Sequence, residues 1–198
     1  MNNIILKGKI NNIQHSHTIN GISYDSAYLL VNNSNDLIEL KFKSGVYPYK
    51  NGDVICIDGN IRSYSHQLNN KNKVDIYVFT KFDDPFMNGE DLDIFNAFEV
   101  DGRICKKNPI RTFKNGTKNI QFILANNIIN SDLDIKINNY LPCIAWGNLA
   151  ELLNQLSVND IVNVKGELHF RTYKKYINEK EFELHHAYEL LIKNFEWL

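Results

Sequence analysis

Apolar residues recur at every second position in short runs separated by polar, asparagine- and glycine-rich stretches, which is the period of half-buried strands rather than of helices. The clearest run lies between Asn159 and Tyr173. A turn at Asn159-Asp160 opens it, Ile161, Val162 and Val164 follow, and Gly166 interrupts a pattern that resumes as Leu168 and Phe170. A glycine inside a strand marks a bulge or sharp bend, where the missing Cβ permits tight coiling. A weaker copy stands in the first half, Asn51-Gly52-Asp53-Val54-Ile55-Cys56-Ile57-Asp58-Gly59-Asn60-Ile61. Two copies in 198 residues favour two similar domains of about 100 residues over one large one.

Taken in order, the first half predicts a strand over 4–13 bent at Gly8, a polar turn over 15–21, and strands over 24–31 and 36–42 joined through Asn32-Asn33-Ser34-Asn35. A short proline-containing turn over 46–50 follows, then a bent strand over 54–64, a polar loop over 65–73 and a strand over 74–79. That order suits a five-stranded closed sheet. Residues 81–94, acidic and punctuated by Pro85 and Gly89, read as a linker. The second half repeats the scheme from Phe95, with Gly102 the counterpart of Gly8. It adds a hairpin over 106–118, strands over 119–126 and 138–147, the Gly166 strand, a hairpin over 172–181 and a last strand over 182–191. Leu149, Leu152, Leu153 and Leu156 recur at helical spacing, predicting a short helix after the third strand with Asn148 as its N-cap. The expectation is an all-β chain of two tandem five-stranded barrels, 1–80 and 95–198, joined by the linker 81–94.

Composition adds limits. The hydrophobic fraction of 43% and charged fraction of 23% are those of a soluble globular protein, and a net charge of -1 gives no global attraction to a polyanion. Any phosphate binding must come from a local patch and weaken with salt. Cys56, Cys105 and Cys143 form no Cys-x-x-Cys pair and fall in or beside apolar strands, so buried thiols in a reducing compartment are expected. The amino terminus lacks the pattern of a signal peptide, and no apolar run is long enough to cross a bilayer, so a cytoplasmic chain without membrane contact is expected. His15 and His17 read as exposed loop residues, and His185 and His186 point to opposite faces of a strand. No phosphate loop, metal signature or spaced acid pair is present in the sequence, and neither an enzyme, a metal nor a cofactor is expected.

The candidate chemistry lies in rings interleaved with cations. Lys106, Lys107, Arg111, Lys114 and Lys118 surround Phe113 with no acid among them. Such a stretch is either a solvated hairpin or a surface where rings stack on bases and cations meet phosphates. Trp146, at a strand end, either packs on the helix or faces a groove. Tyr24 and Tyr64 lie near loop edges, covering the core or offering a face to a base. Tyr173, Lys174, Lys175 and Tyr176 form a second exposed aromatic and basic hairpin.

Gly102-Arg103-Ile104, Pro142-Cys143-Ile144-Ala145-Trp146-Gly147, Ala150, Val164-Lys165-Gly166-Glu167-Leu168 and Arg171-Thr172-Tyr173, in this order, resemble the bacterial single-stranded DNA-binding protein family. The likeness spans about Phe95 to Leu191. Residues 4–79 look like a divergent second copy, through Gly8-Lys9-Ile10 and Gly59-Asn60-Ile61-Arg62-Ser63-Tyr64. The resemblance implies an oligonucleotide/oligosaccharide-binding (OB) fold, assembly through barrel surfaces, and binding of single-stranded DNA with little sequence preference. It makes Trp146 the stacking aromatic at its strand end, puts Phe170 and Tyr173 in the bent-strand binding segment, and makes Arg103 and Arg171 nearby cations. With Arg62, Tyr64, Arg111, Phe113, Lys114, Lys118, Phe122, Lys174, Lys175 and Tyr176 these form the expected nucleic-acid-binding set. The expected role is in replication, recombination or mobile-element transfer. Expected partners are single-stranded DNA, replication or recombination proteins and a second copy of the chain, since a homodimer of tandem barrels supplies four. The family's glycine- and proline-rich tail is not expected here, since the sequence runs to Asn194-Phe195-Glu196-Trp197-Leu198 in its place. A competing reading, a replication-accessory or protein-interaction module with weak DNA affinity, draws on the near-zero net charge and the divergent first copy. RNA binding stays open, because stacking serves both polymers.

Overall fold

In a computed structural model the period-two runs pair into two closed circuits. The structure describes all residues except 32–35, 47, 69–70, 81–94, 131–134, 177 and 179–180, and describes the backbone but not the side chains at 68, 71, 72, 129, 130, 135, 175, 176, 183 and 185. The first circuit uses β1 (Asn2–Ile19), β2 (Ile22–Val31), β3 (Asp36–Lys43), β4 (Val54–Leu68) and β5 (Lys71–Thr80). β1 pairs with β2 and β4, β2 with β3, β3 in parallel with β5, and β5 with β4. The second uses β6 (Asn96–Lys107), β8 (Lys118–Asn130), β9 (Ile135–Trp146), β10 (Ile161–Tyr176) and β11 (Phe182–Trp197), with the two-residue β7 (Arg111–Thr112) laid against β8. Its pairings repeat the first: β6 with β8 and β10, β8 with β9, β9 in parallel with β11, and β11 with β10. This is the strand order of the OB barrel.

The internal copy shows in register. Gly8 faces Ile55 and Gly102 faces Val162, and each partner precedes by the same step the glycine that bends its strand, Gly59 or Gly166. At Gly166 the ladder slips one residue against β11. A Cβ there would lie 1.9 Å from the Leu191 carbonyl oxygen, so only glycine lets the two backbones approach.

Each interior is filled by the buried side of the alternation. Ile4, Leu6, Leu29, Ile38, Ile57, Ile61, Ile76 and Val78 fill one barrel, and Val100, Ile104, Ile120, Leu124, Leu141, Val162, Val164 and Leu190 the other. Helix α1 (Asn148–Asn154) buries Ala150 and Leu153 against the second core, with Leu156 beside it. The first barrel has a turn where the second has this helix, and packs Tyr49 edge-on to Phe42 at 6.3 Å.

The barrels are fused into one sheet by antiparallel pairing of β1 with β6, from Asn2 opposite Val100 to Leu6 opposite Asn96. Asn2 stitches this seam, accepting from the Ile61 amide at 2.8 Å and donating to Asn126 at 2.7 Å. Each barrel also takes hold of the other's bent strand in the same way. Asp36 of β3 accepts the Phe170 amide at 3.2 Å, and Asn139 of β9 accepts the Ser63 amide at 2.9 Å.

Several expectations are corrected. Residues 15–19 continue β1 as strand, and the hairpin closes at Asn20-Gly21, where φ values of 50° and 77° suit the primed turn that matches strand twist. The loop expected over 65–73 is largely the extension of β4 and β5. Asn148 is the first helical residue and makes no cap; Gly147, at φ 61°, holds the cap position, because the chain turns sharply as it leaves β9. Cys105 is exposed, while Cys56 and Cys143 are buried. The expected turn over 32–35 and the acidic linker lie outside the described residues.

Candidate nucleic-acid interface

Among the hollows of the described residues, three bear on the expected rings and cations, and alternation decides which rings reach them. The first is built on the β7–β8 hairpin. Its turn is closed by the Phe113 amide donating to the Thr117 carbonyl at 2.8 Å and the Gly116 amide donating to Phe113 at 2.9 Å. Trp146 stands opposite Asn119 in the β8–β9 register, and the Gly147 amide donates to the Lys118 carbonyl at 2.9 Å, so the strand end and the hairpin are held side by side. Phe113 therefore stacks on Trp146, centroids 5.6 Å apart at 26°, and the Arg111 guanidinium lies 4.8 Å over Phe113. Trp146 remains 42% exposed. These three line an open hollow of about 640 Å³ with Lys114 at its edge.

The second hollow, of about 240 Å³, lies across β8, β9 and β11, between Lys106, Gln121, Pro142, Arg171 and Tyr188. Arg171 meets Glu189 at 3.0 Å and also covers the Tyr173 ring at 5.4 Å. Burial raises the Glu189 carboxyl, and the neighbouring Arg171 charge opposes that rise.

The third, of about 360 Å³, opens between the barrels, and Tyr188 lines it as well as the second. Phe170 stacks on His186 at 5.3 Å and 7°, and tilts against Tyr188 at 4.9 Å. The Tyr188 hydroxyl donates to the Leu37 carbonyl of the first barrel at 3.2 Å. From that barrel come Tyr28 and Tyr64, with Tyr64 tilted against Tyr77 and both rings capped by the Lys41 ammonium at 5.0 and 4.4 Å.

The sequence-expected residues divide accordingly. Trp146, Phe113, Arg111 and Lys114 converge. Phe170, Arg171, Tyr173 and Lys174 lie along β10, Lys174 lying 4.3 Å over the Phe182 ring. Tyr64 faces the cleft, whereas Tyr24 is buried, stacked on His17. Two expectations are corrected. Phe122 is 3% exposed and sits in the core, sharing the inward face of β8 with Ile120 and Leu124. Arg62 is buried beneath the first barrel's own rings, its guanidinium 3.7 Å over Phe79, and offers no cation to a ligand. Lys118 is half-buried and ion-paired with Glu151. Arg103 donates to the Asn159 carbonyl at 3.3 Å, holding the turn before β10. Lys107 donates to the Asn154 carbonyl at 2.8 Å and to that of Leu156, satisfying the helix C-terminus, where a cation is favoured. The side chains of Lys175 and Tyr176 lie outside the described residues.

Sequence reasoning missed Tyr28, Tyr77, Tyr188 and Lys41. The signal was present for Tyr77, which with Asp75 alternates with the fully buried Ile76 and Val78. Among the described residues no group of three or more His, Cys, Asp or Glu is placed to hold a metal, and no helix is long and apolar enough to cross a membrane.

Residues 95–197 match the family model described as Single-strand binding protein family. The whole chain superposes on the wild-type single-stranded DNA binding protein from Thermus aquaticus, with a TM-score of 0.71, 17% identity, and coverage of 100% of this chain and 93% of that one. A deletion variant of the same Thermus aquaticus protein gives a TM-score of 0.72 at 17% identity, covering 100% of this chain and 94% of that one. At that identity the likeness establishes the fold. No curated protein sequence matches the chain.

Proposed function

Because the chain belongs to the single-strand binding protein family, whose general role is to bind single-stranded DNA, we propose that it binds such strands with little overall sequence preference, by stacking and phosphate contact over the second barrel. The observation that carries this reading is the Arg111–Phe113–Trp146 column at the open end of β9. An exposed ring backed by a second ring and a guanidinium is rigid before ligand arrives. Every base has a π-face to lay on it, worth about 1–3 kcal/mol per stack. Lys114 beside it, and Tyr173 and Lys174 on the β10–β11 hairpin, extend the same chemistry along the strand's path. The chain is a binding protein rather than an enzyme.

The family and the tandem architecture support a finer reading. The protein acts in the cytoplasm during replication, recombination or mobile-element transfer, and two copies assemble through barrel surfaces into a four-barrel homodimer. Residues 1–80 and 95–198 are its two domains, with 81–94 linking them.

A second reading, an accessory module with little DNA affinity, is favoured by the internal ion pairs. Arg171 is held by Glu189 and Lys118 by Glu151, which leaves fewer cations for phosphate. Fluorescence anisotropy with dT oligomers of increasing length, duplex DNA, matched RNA and added salt separates the two. Salt-sensitive micromolar or tighter binding of dT supports the first, and absence of such binding alongside firm capture of a replication protein supports the second.

A further inference from the structure

The third concavity holds two carboxylates, Glu39 and Asp75, where the second holds Glu189 and the first none. Its rings are Tyr28 and Tyr64 from the first barrel and Phe170, His186 and Tyr188 from the second. Each carboxylate is paired with a lysine, Glu39 with Lys41 and Asp75 with Lys73, so the cleft carries no net charge to draw a phosphate into it. Rings from both barrels beside carboxylate acceptors suit a planar ring that carries N–H donors on its edge.

The two carboxylates are not equally engaged. Asp75 is held by Lys73 at 3.0 Å and lies 3.5 Å from His66, whereas Glu39 has the longer contact, 3.6 Å, to Lys41. Burial raises the Glu39 carboxyl above its ordinary range, with Lys41 opposing, so a new donor at that oxygen replaces solvation the site already lacks. Burial, reinforced by Glu39 and Asp75, pushes the Tyr64 hydroxyl up to about 12, which keeps it a neutral donor at the mouth. Guanine presents two adjacent N–H donors, N1–H and the N2 amine, to a carboxylate's two oxygens. Thymine presents one N–H flanked by carbonyls, and adenine and cytosine each set an acceptor beside their amine.

We propose that the inter-barrel cleft takes one unstacked guanine, held between Tyr64 and the Phe170–His186 pair and read by Glu39, as the strand crosses from the second barrel to the first. The site rests on the single-strand reading above and adds one local base preference to a path otherwise indifferent to sequence.

The test walks a single dG through a dT oligomer long enough to span both barrels, using the full chain. One position should gain about tenfold in affinity over all-dT, the scale of one two-point contact. Inosine at that position, which lacks the N2 amine, should lose most of the gain with no change to the protein. Glu39→Gln should abolish the preference while leaving all-dT binding within about twofold, which also checks folding. Equal affinity at every dG position, or a preference that survives both inosine and E39Q, overturns the guanine site. Failure of all-dT itself to bind would instead overturn the single-strand reading.

Discussion

The two barrels share one strand plan and differ in how each outer surface is finished. The second closes its end with α1, spends Lys107 on that helix's last carbonyls, and keeps Arg111, Phe113 and Trp146 stacked in the open. The first closes with Tyr49, draws Arg62 inward over Phe79, and sets Glu39 and Asp75 among its exposed tyrosines. One architecture can thus carry a cation-edged face and a carboxylate-bearing one, because the inward half of each strand makes the barrel while the outward half is free to vary.

The largest effect should come from testing how tightly each bent strand is held. Gly166→Ala puts a Cβ 1.9 Å from a backbone oxygen, whereas Gly59→Ala meets the Phe79 oxygen and a Val78 methyl at 2.7 Å each. Overpacking costs about 1–3 kcal/mol and occasionally more, so chemical denaturation should show G166A losing about 3 kcal/mol and G59A roughly half that. Equal losses would mean that the two bends are alike in strain.

The mirrored inter-barrel bonds offer a finer comparison. Asp36→Ala strands the Phe170 amide and removes a partner 3.0 Å from His169, while Asn139→Ala strands only the Ser63 amide among the contacts the two share. Leaving a buried donor unpaired costs about 1–3 kcal/mol, and charged partners cost more. D36A should therefore be the more destabilised, with melting temperature as the readout.

Much of the second barrel was legible because its signals are local. Gly166 within a period-two run, the leucines of α1 and the basic hairpin around Phe113 all declare themselves within a few residues. The Asn20-Gly21 turn was equally local and lies within the turn expected over 15–21, which was drawn too wide because the strand residues 15–19 are polar as well. Phe122 was misplaced although Ile120 and Leu124 already marked its side of the strand as inward. The contact between the barrels had no local signal: His169 and Asp36 lie 133 positions apart, and nothing near either residue announces the other. Arg62 was misread for a related reason, since its burial depends on Phe79 of the neighbouring strand.

The smallest effect concerns pH. The Glu39 carboxyl is raised above 4.5, by burial first, with Lys41 opposing. A group whose folded pKa exceeds its unfolded value favours the fold while protonated. That contribution is present below the unfolded value and is lost as pH rises through the folded one. Glu39→Gln should therefore raise the melting temperature slightly at pH 7 and leave it unchanged near pH 4, checked by thermal scans at both; a loss at pH 7 would show that the Lys41 pairing outweighs burial.

The ring column of the second barrel is the central claim, and Trp146 reports on it directly. Trp197, the other tryptophan, is 68% exposed at the far end of β11 and is silenced by Trp197→Phe. In that background, titration with a dT oligomer should quench Trp146 emission saturably, along the same curve as anisotropy of the labelled strand, and added salt should reverse both. DNA that binds by anisotropy while Trp146 emission stays unchanged would contradict the account.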